Sequence, residues 1–449
     1  MCLMNDTSDG GSASVTHPAA SPLSKSRLLY SWYMVGVFCL AALVSYTDRL
    51  VLSALVDPIK HTLRVDDASV SLLQGAAFAL VYVFSGLLLG RLADKRRRLT
   101  ILIIGSSVWC GGTISCGLAP SFWALFAARV VVGVGEAALA PAAVSIISDS
   151  FSPSRRGAAL GVFMFGFALG GPASIAVGSV MLASANAGTF SGFPLLGAME
   201  PWRIVLVIMG LAGFAVPSLF LTLQEPARRA SEPQLSVHSM VRRLAVDRYS
   251  LVPAYLAMGL LSIGDYGMLA WAPSALSRHF SMPLAELGWN FGAVTIGAGM
   301  LGCVCGGTGS DFFASWSGTR GRLFFSLGAA IIASAGAALV SSTHISAVFS
   351  GVGLWTFGSM LAAISTIAAV QDIVPSEYRG VGIAVVAFCN TLLGLGLGPT
   401  LVALITDYLF RDPQFVAQAI TTTALPAGTA AAILLFYASR TATGHDQRA

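Results

Sequence analysis

Apolar positions along this chain come in long unbroken runs, not in the alternating or one-faced patterns of a soluble fold. A run of roughly 20 apolar residues is the length of helix that crosses the hydrocarbon core of a bilayer. Twelve such spans are predicted, at 32–56, 69–90, 99–119, 121–148, 156–184, 202–223, 250–280, 285–309, 321–341, 344–371, 377–408 and 414–438. Most connections are short. Ala185–Pro201 and the charged stretch Gln224–Tyr249 are longer, and the second divides the spans into two sets of six. The pattern predicts an all-α membrane protein with an N-terminal six-helix bundle (31–223), a linker (224–249) and a C-terminal six-helix bundle (250–438). Tails at 1–30 and 439–449 complete it. The first is rich in Ser, Thr, Gly and Ala and is expected to be disordered. It lacks the basic region and apolar core of a cleavable signal.

The two sets echo one another. Asp94 after the second span recurs as Asp311, Asp149 after the fourth as Asp372, and Gly171-Pro172 in the fifth as Gly398-Pro399, at offsets of 217, 223 and 227 residues. Landmarks repeating at nearly one offset indicate a duplicated, pseudo-symmetric unit. Gly171, Pro172, Gly398 and Pro399 mark where these spans bend, because proline removes a backbone hydrogen bond.

Charge decides orientation. Charged residues make up 10% of the chain, against about 25% in soluble domains. With both termini in the cytoplasm, 19 of the basic residues fall inside and 5 outside, with Arg49 and Arg129 within spans. This bias predicts a multi-pass protein of the cell (inner) membrane with cytoplasmic termini. The net charge of +5 is then explained without a nucleic-acid partner. Cys303 and Cys305 lack the second pair of a zinc site, and the histidines lie in tails, loops and span ends. Neither a metal or other cofactor nor enzymatic catalysis is expected. Without a phosphate-binding loop, the energy source is an ion gradient or the substrate's own.

The remaining chemistry is concentrated in charges kept inside the membrane, each costing roughly 3 kcal/mol on insertion scales. Between Leu99 and Ser148 the only such residues are Arg129 and Glu136, nearly two helical turns apart and so on one face. Gly133 and Gly135 between them admit a close neighbour. The first span brings Asp48 and Arg49. Counting 1.5 Å per residue from the span ends places Asp48 and Arg129 at one depth, about 12 Å from the outer surface. Pairing among the four is expected, as a structural staple or as a proton and substrate switch. Glu136, near the midplane, is the candidate proton carrier, with Asp48 behind it. In the second half, Asp265 and Asn390 are candidate substrate or packing groups. That half is otherwise apolar, with Tyr266, Met268, Trp271, Trp355, Phe357, Met360 and Phe388 expected to wall an alkyl chain.

The sequence Gly90-x-x-x-Asp94-basic-x-basic-Arg98, its weaker copy ending at Asp311, and Arg129 with the glycines after it resemble the major facilitator superfamily across all predicted spans. Arg97 stands where that family usually has glycine. Thr47-Asp48-Arg49 combined with Arg129 and Glu136 is similar to its Spinster-type branch, associated with export of sphingosine phosphate or lysolipids and, in bacteria, with proton coupling. The resemblance implies the major facilitator fold, and two bundles that rock around a central cavity to give alternating access. It also implies a conformational clamp of Gly90, Asp94, Arg98 and Asp311, with Asp94 holding the N-terminus of the eleventh span. The expected function is a monomeric, proton-linked secondary transporter of an amphipathic small-molecule or lysolipid-like substrate, working within the membrane lipid bilayer. A proton symporter of a small organic anion, and a lipid scramblase or non-transporting receptor, are the alternatives.

Overall fold

The structure, a computed structural model, describes residues 25–228, 247–375 and 378–442. The predicted tail to residue 24, most of the linker (229–246) and residues 443–449 lie outside the described residues. Among the described residues, eleven helical runs are long and apolar enough to cross a membrane. They are α1 (Ser26–Ala54), α2 (Asp67–Ala93), α3 (Arg98–Leu118), α4 (Phe122–Ser150), α5 (Arg155–Asn186), α6 (Pro201–Phe220), α7 (Arg248–Phe280), α8 (Leu284–Leu339), α9 (Ile345–Ile373), α10 (Arg379–Phe410) and α11 (Pro413–Thr441).

The count differs from the expected twelve at one place. The eighth and ninth predicted spans form the single 56-residue run α8, broken by non-helical backbone at Ser317 and Gly318. A straight helix of that length would reach about 84 Å, far beyond a bilayer of about 30 Å. The run folds back on itself instead. Arg322 on the second arm donates to Ser310 (3.0 Å) and Asp311 (2.7 Å) on the first. Gly318, at φ 56°, takes the left-handed conformation that the reversal requires.

The duplication is written into the packing. In the first half a Cβ on Gly135 would lie 2.6 Å from Gly105 O and Trp109 N, so α3 and α4 touch backbone to backbone. In the second half a Cβ on Gly358 would lie 2.6 Å from Ala333 N and 2.7 Å from Ala329 O, between α9 and the second arm of α8. Gly112 against Ala128 and Val132 is matched by Gly336 against Gly351 and Trp355. Small residues are needed here because lipid gives no hydrophobic drive, and association rests on close contact.

The halves meet across α5 and α8, where Gly288 sits against Ala176 and Ser179. They also meet across α2 and α10. Both of those helices widen into π-type turns, at Leu72–Ala76 and Asn390–Leu395, and Gly75 in one abuts the Leu395 carbonyl in the other. Bulges of this kind displace a helix locally and recur at functional places.

The glycine contacts carry a direct test. Gly135→Ala and Gly358→Ala should each lower the thermal unfolding temperature in detergent, by an overpacking cost of about 1–3 kcal/mol. Gly111→Ala, with open space around its Cα, should stay at or above wild type. Equal stability of all three would show that these helices do not approach so closely.

Candidate functional site

Four charges lie within the membrane part of the first half. Asp48 is 4% exposed, Arg49 5%, Arg129 1% and Glu136 1%. The pairing is specific. Arg49 donates from Nε (2.9 Å) and one terminal nitrogen (2.7 Å) to Glu136 Oε2. Its guanidinium sits 5.0 Å from the Tyr46 ring, 4.6 Å from Phe78 and 4.5 Å from Tyr82, an aromatic cage suited to a cation.

Arg129 and Asp48 do not meet, contrary to the depth argument. Arg129 donates instead to the Arg49 carbonyl (2.8 Å) and, at 3.3 Å, to the Leu73 carbonyl, tying α4 to α1 and α2 through their backbones. Asp48 accepts from the Thr113 hydroxyl of α3. Azimuth decides the partners: consecutive helical residues point about 100° apart, so Arg49 and Asp48 face different neighbours.

In the second half, Asp265 accepts from Trp355 Nε1 (2.8 Å) and the Ser359 hydroxyl (2.7 Å). Asn390 donates to the Ser262 hydroxyl (2.9 Å) and accepts from the Tyr266 hydroxyl (3.3 Å). The Tyr46 and Tyr266 hydroxyls lie 2.6 Å apart, one from each half. Since Tyr266 has a single hydrogen and donates it to Asn390, Tyr46 is the donor of this bond. A polar line therefore runs from Tyr46, under the Arg49 guanidinium, to Tyr266, Asn390 and Ser262. Sequence reasoning missed Tyr46, the first-half member of that line. The available signal was its place three residues before Arg49, on the same helix face.

The expected apolar wall is only partly present. Met268, Trp271 and Trp355 are 3%, 0% and 1% exposed. Trp271 donates to the Pro399 carbonyl (2.9 Å), and Trp355 packs on Gly264 and holds Asp265. They are packing residues of their own half. Phe388, at 48%, is exposed.

Charge clasps mark the two ends of the molecule. Near the ends that carry the termini, Arg98, 1% exposed, donates to Glu225 (Nε, 3.1 Å), Ser145 (2.9 Å) and Asp149. Burial opposes the charge of Glu225, but the Arg98 backbone N–H, its side chain and its charge outweigh that and hold the carboxyl below its ordinary range. Arg322 makes the matching contacts to Asp311 (2.7 Å) and Asp372 (2.8 Å). Arg98 and Asp311 thus clamp within their own halves, Gly90 lies near Pro141 of α4, and the Asp94 side chain lies outside the described residues.

At the opposite end the clasp joins the halves. Arg278 of α7 donates to Asp57 (2.9 Å) and, through two nitrogens, to Asp67 (2.8 and 2.9 Å). The Ala68 N–H donates to Asp407 of α10 at 2.7 Å. These bonds tie the two halves together at this face. Of the glycines expected to mark bends, Gly171 lies against Leu269 of α7, across the interface, and Gly398 against the Ile263 carbonyl, within the second half. No group of His, Cys, Asp or Glu suited to a metal occurs among the described residues.

Comparison with known proteins agrees with this architecture. The family model of the Major Facilitator Superfamily matches residues 38–399. The chain is 29% identical over 391 residues to an MFS-type efflux pump of Mycolicibacterium smegmatis, covering 85% of this chain and 86% of that protein. It is 26% identical over 415 residues to the sphingosine-1-phosphate transporter SPNS2 of Xenopus tropicalis, covering 87% and 77%. In structure it is similar to a bacterial homologue of the human lysosomal transporter Spinster, inward-facing and unoccupied, with a TM-score of 0.75, 24% identity and coverage of 94% and 98%.

The buried pair predicts a double-mutant signature. Arg49→Met leaves the Glu136 charge unanswered and should cost about 3–5 kcal/mol of stability. Adding Glu136→Gln should restore most of it, read as thermal unfolding in detergent. A double variant no more stable than Arg49→Met alone would show that the two residues are not coupled.

Proposed function

The chain belongs to the Major Facilitator Superfamily, and from that premise we propose that it is a proton-linked secondary transporter of an amphipathic anion, working by alternating access. The observation that carries this reading is the Arg49–Glu136 pair, buried beside the Tyr46–Tyr266 bond that links the halves. In the resting state each charge answers the other. Protonation of Glu136 releases Arg49, and the freed guanidinium is suited to bind a phosphate or carboxylate head group. Proton and anion therefore arrive together. Their arrival changes the charge at a junction of the halves, which favours one packing over the other. The Arg278 clasp holds the face away from the termini shut in this state of the molecule; its opening is the other half of the cycle. Asp48 is the second carboxylate of the coupling machinery. Arg129, tied to backbone carbonyls, positions α1 against α2 and α4. The protein acts as a monomer in the inner membrane, with the termini and linker in the cytoplasm, an orientation supported by the arginine distribution.

The substrate favoured is a lysolipid or sphingolipid-like molecule. The similarity to a protein named as a sphingosine-1-phosphate transporter supports it. A small organic anion carried by proton symport is the second reading. It is favoured by one observation: Met268, Trp271 and Trp355 are enclosed, while Tyr266, Asn390, Ser262 and Asp265 give the second half polar partners of its own.

Two measurements test these points. Glu136→Gln should retain substrate binding and lose the proton uptake that accompanies it, read with a pH dye in weak buffer. Unchanged proton uptake would move the coupling to Asp48. For phosphate-headed ligands of increasing chain length, affinity should rise with each methylene by up to about 0.8 kcal/mol. A flat series together with tight binding of a short organic acid would replace the lipid reading with the symporter.

A further inference from the structure

A separate cavity of about 220 Å³ lies wholly within the first half, between α1, α3, α5 and α6. Leu43, Trp109, Met181 and Met209 give it apolar walls. One charged side chain lines it, Asp48, and no basic side chain does. Asp48 Oδ2 is held by the Thr113 hydroxyl. Its Oδ1 is buried and has no hydrogen-bond partner in the protein. A carboxylate oxygen buried among apolar residues without a donor is unfavourable, so a donor that reaches it from the cavity is stabilising.

Access does not run through the interface between the halves. The helix α5 turns Ala176 towards Gly288 and Gly292 of α8, and turns Ala173, Val177 and Met181 to the cavity. Val177 is 41% exposed, and Ala212 of α6 across from it is exposed as well. The mouth thus lies between α5 and α6 on the side away from the second half, where a membrane protein meets lipid. A ligand that reaches it is one that partitions into the bilayer.

We propose that this cavity is a binding site for a lipophilic ammonium ion. An N–H of the protonated amine donates to Asp48 Oδ1, and its hydrocarbon part lies among Trp109, Met181 and Met209. The space exceeds the roughly 150 Å³ cavity that takes up benzene, so one ring or a short alkyl chain fits. The absence of a basic side chain from the lining sets this site apart from the Arg49 position. There an anionic head group would be held. Asp48 is shared with the coupling machinery proposed above, so the test below reads amine binding directly and not transport.

The test uses the full chain in phosphatidylcholine nanodiscs, with an eight-carbon alkylamine carrying a diazirine as photoprobe and mass-spectrometric mapping of the label. Labelling is expected on the peptides bearing Met181 and Met209. Octylamine should compete for it, while octanol and octanoate should compete at least about tenfold less well, the value of a charge-assisted hydrogen bond. Asp48→Asn should remove that preference, and Ala173→Leu, which fills the space, should remove the label itself. Equal competition by octanol, or a preference that survives Asp48→Asn, would show a void filled by any hydrocarbon. Labelling at Tyr46 and Tyr266 alone would place the amine between the halves. Either result overturns the proposal.

Discussion

A charge in hydrocarbon has to be answered within the protein, and this constraint organises the molecule. Arg49 is answered by Glu136 and by three aromatic rings. Arg129 is answered by two backbone carbonyls, one on α1 and one on α2. Asp48 is held at one oxygen by Thr113 on a third helix. Each charge therefore fixes the relation of its own helix to another. Together they make α1 the hub of the first half, in contact with α2, α3 and α4 through polar bonds and with α5 through glycines such as Gly166 and Gly170.

The clasps extend the same logic to the ends. Arg98 with Asp149 and Arg322 with Asp372 are one device in two copies, each confined to one half. Each ties together neighbouring helices of its own half. The Arg278 clasp is not duplicated in this way, and it crosses from one half to the other. It adds to the contacts by which the halves meet across α5 and α8 and across α2 and α10. Exposed ion pairs contribute little, about 0–1 kcal/mol each; Asp57 is 43% exposed, whereas Asp67 is fully enclosed. The exposed Asp57 arm is therefore worth little, and the enclosed Asp67 arm carries most of the clasp. The paired π-type turns at Gly75 and Leu395 lie on the same interface, where helix geometry is already irregular.

The asymmetry between halves is real but differs in kind from a polar wall facing an apolar one. The first half holds charges, and the second holds neutral donors and acceptors arranged around Asp265 and Asn390. Tyr46 and Tyr266 join the two sets. The Arg49–Glu136 pair thus lies beside a polar contact between the halves.

The sequence by itself determined those features that rest on one-dimensional patterns. Apolar run length determined the membrane class and the spans, because hydrocarbon thickness sets helix length whatever the neighbours. The recurrence of Asp149 as Asp372 and of Gly171-Pro172 as Gly398-Pro399 determined the duplication. The rarity of charge within spans picked out Asp48, Arg49, Arg129, Glu136 and Asp265. Only the tertiary structure decided azimuth and partner. Which way Asp48 points depends on how α1 is rotated against α3, and that rotation is set by glycine contacts spread over several helices. For the same reason Trp271 and Trp355, apolar by any scale, are internal packing and not a cavity wall. The Arg278 clasp was hidden because its carboxylates, Asp57 and Asp67, belong to the other half of the chain, more than 200 residues away, and nothing local to any of the three announces the meeting.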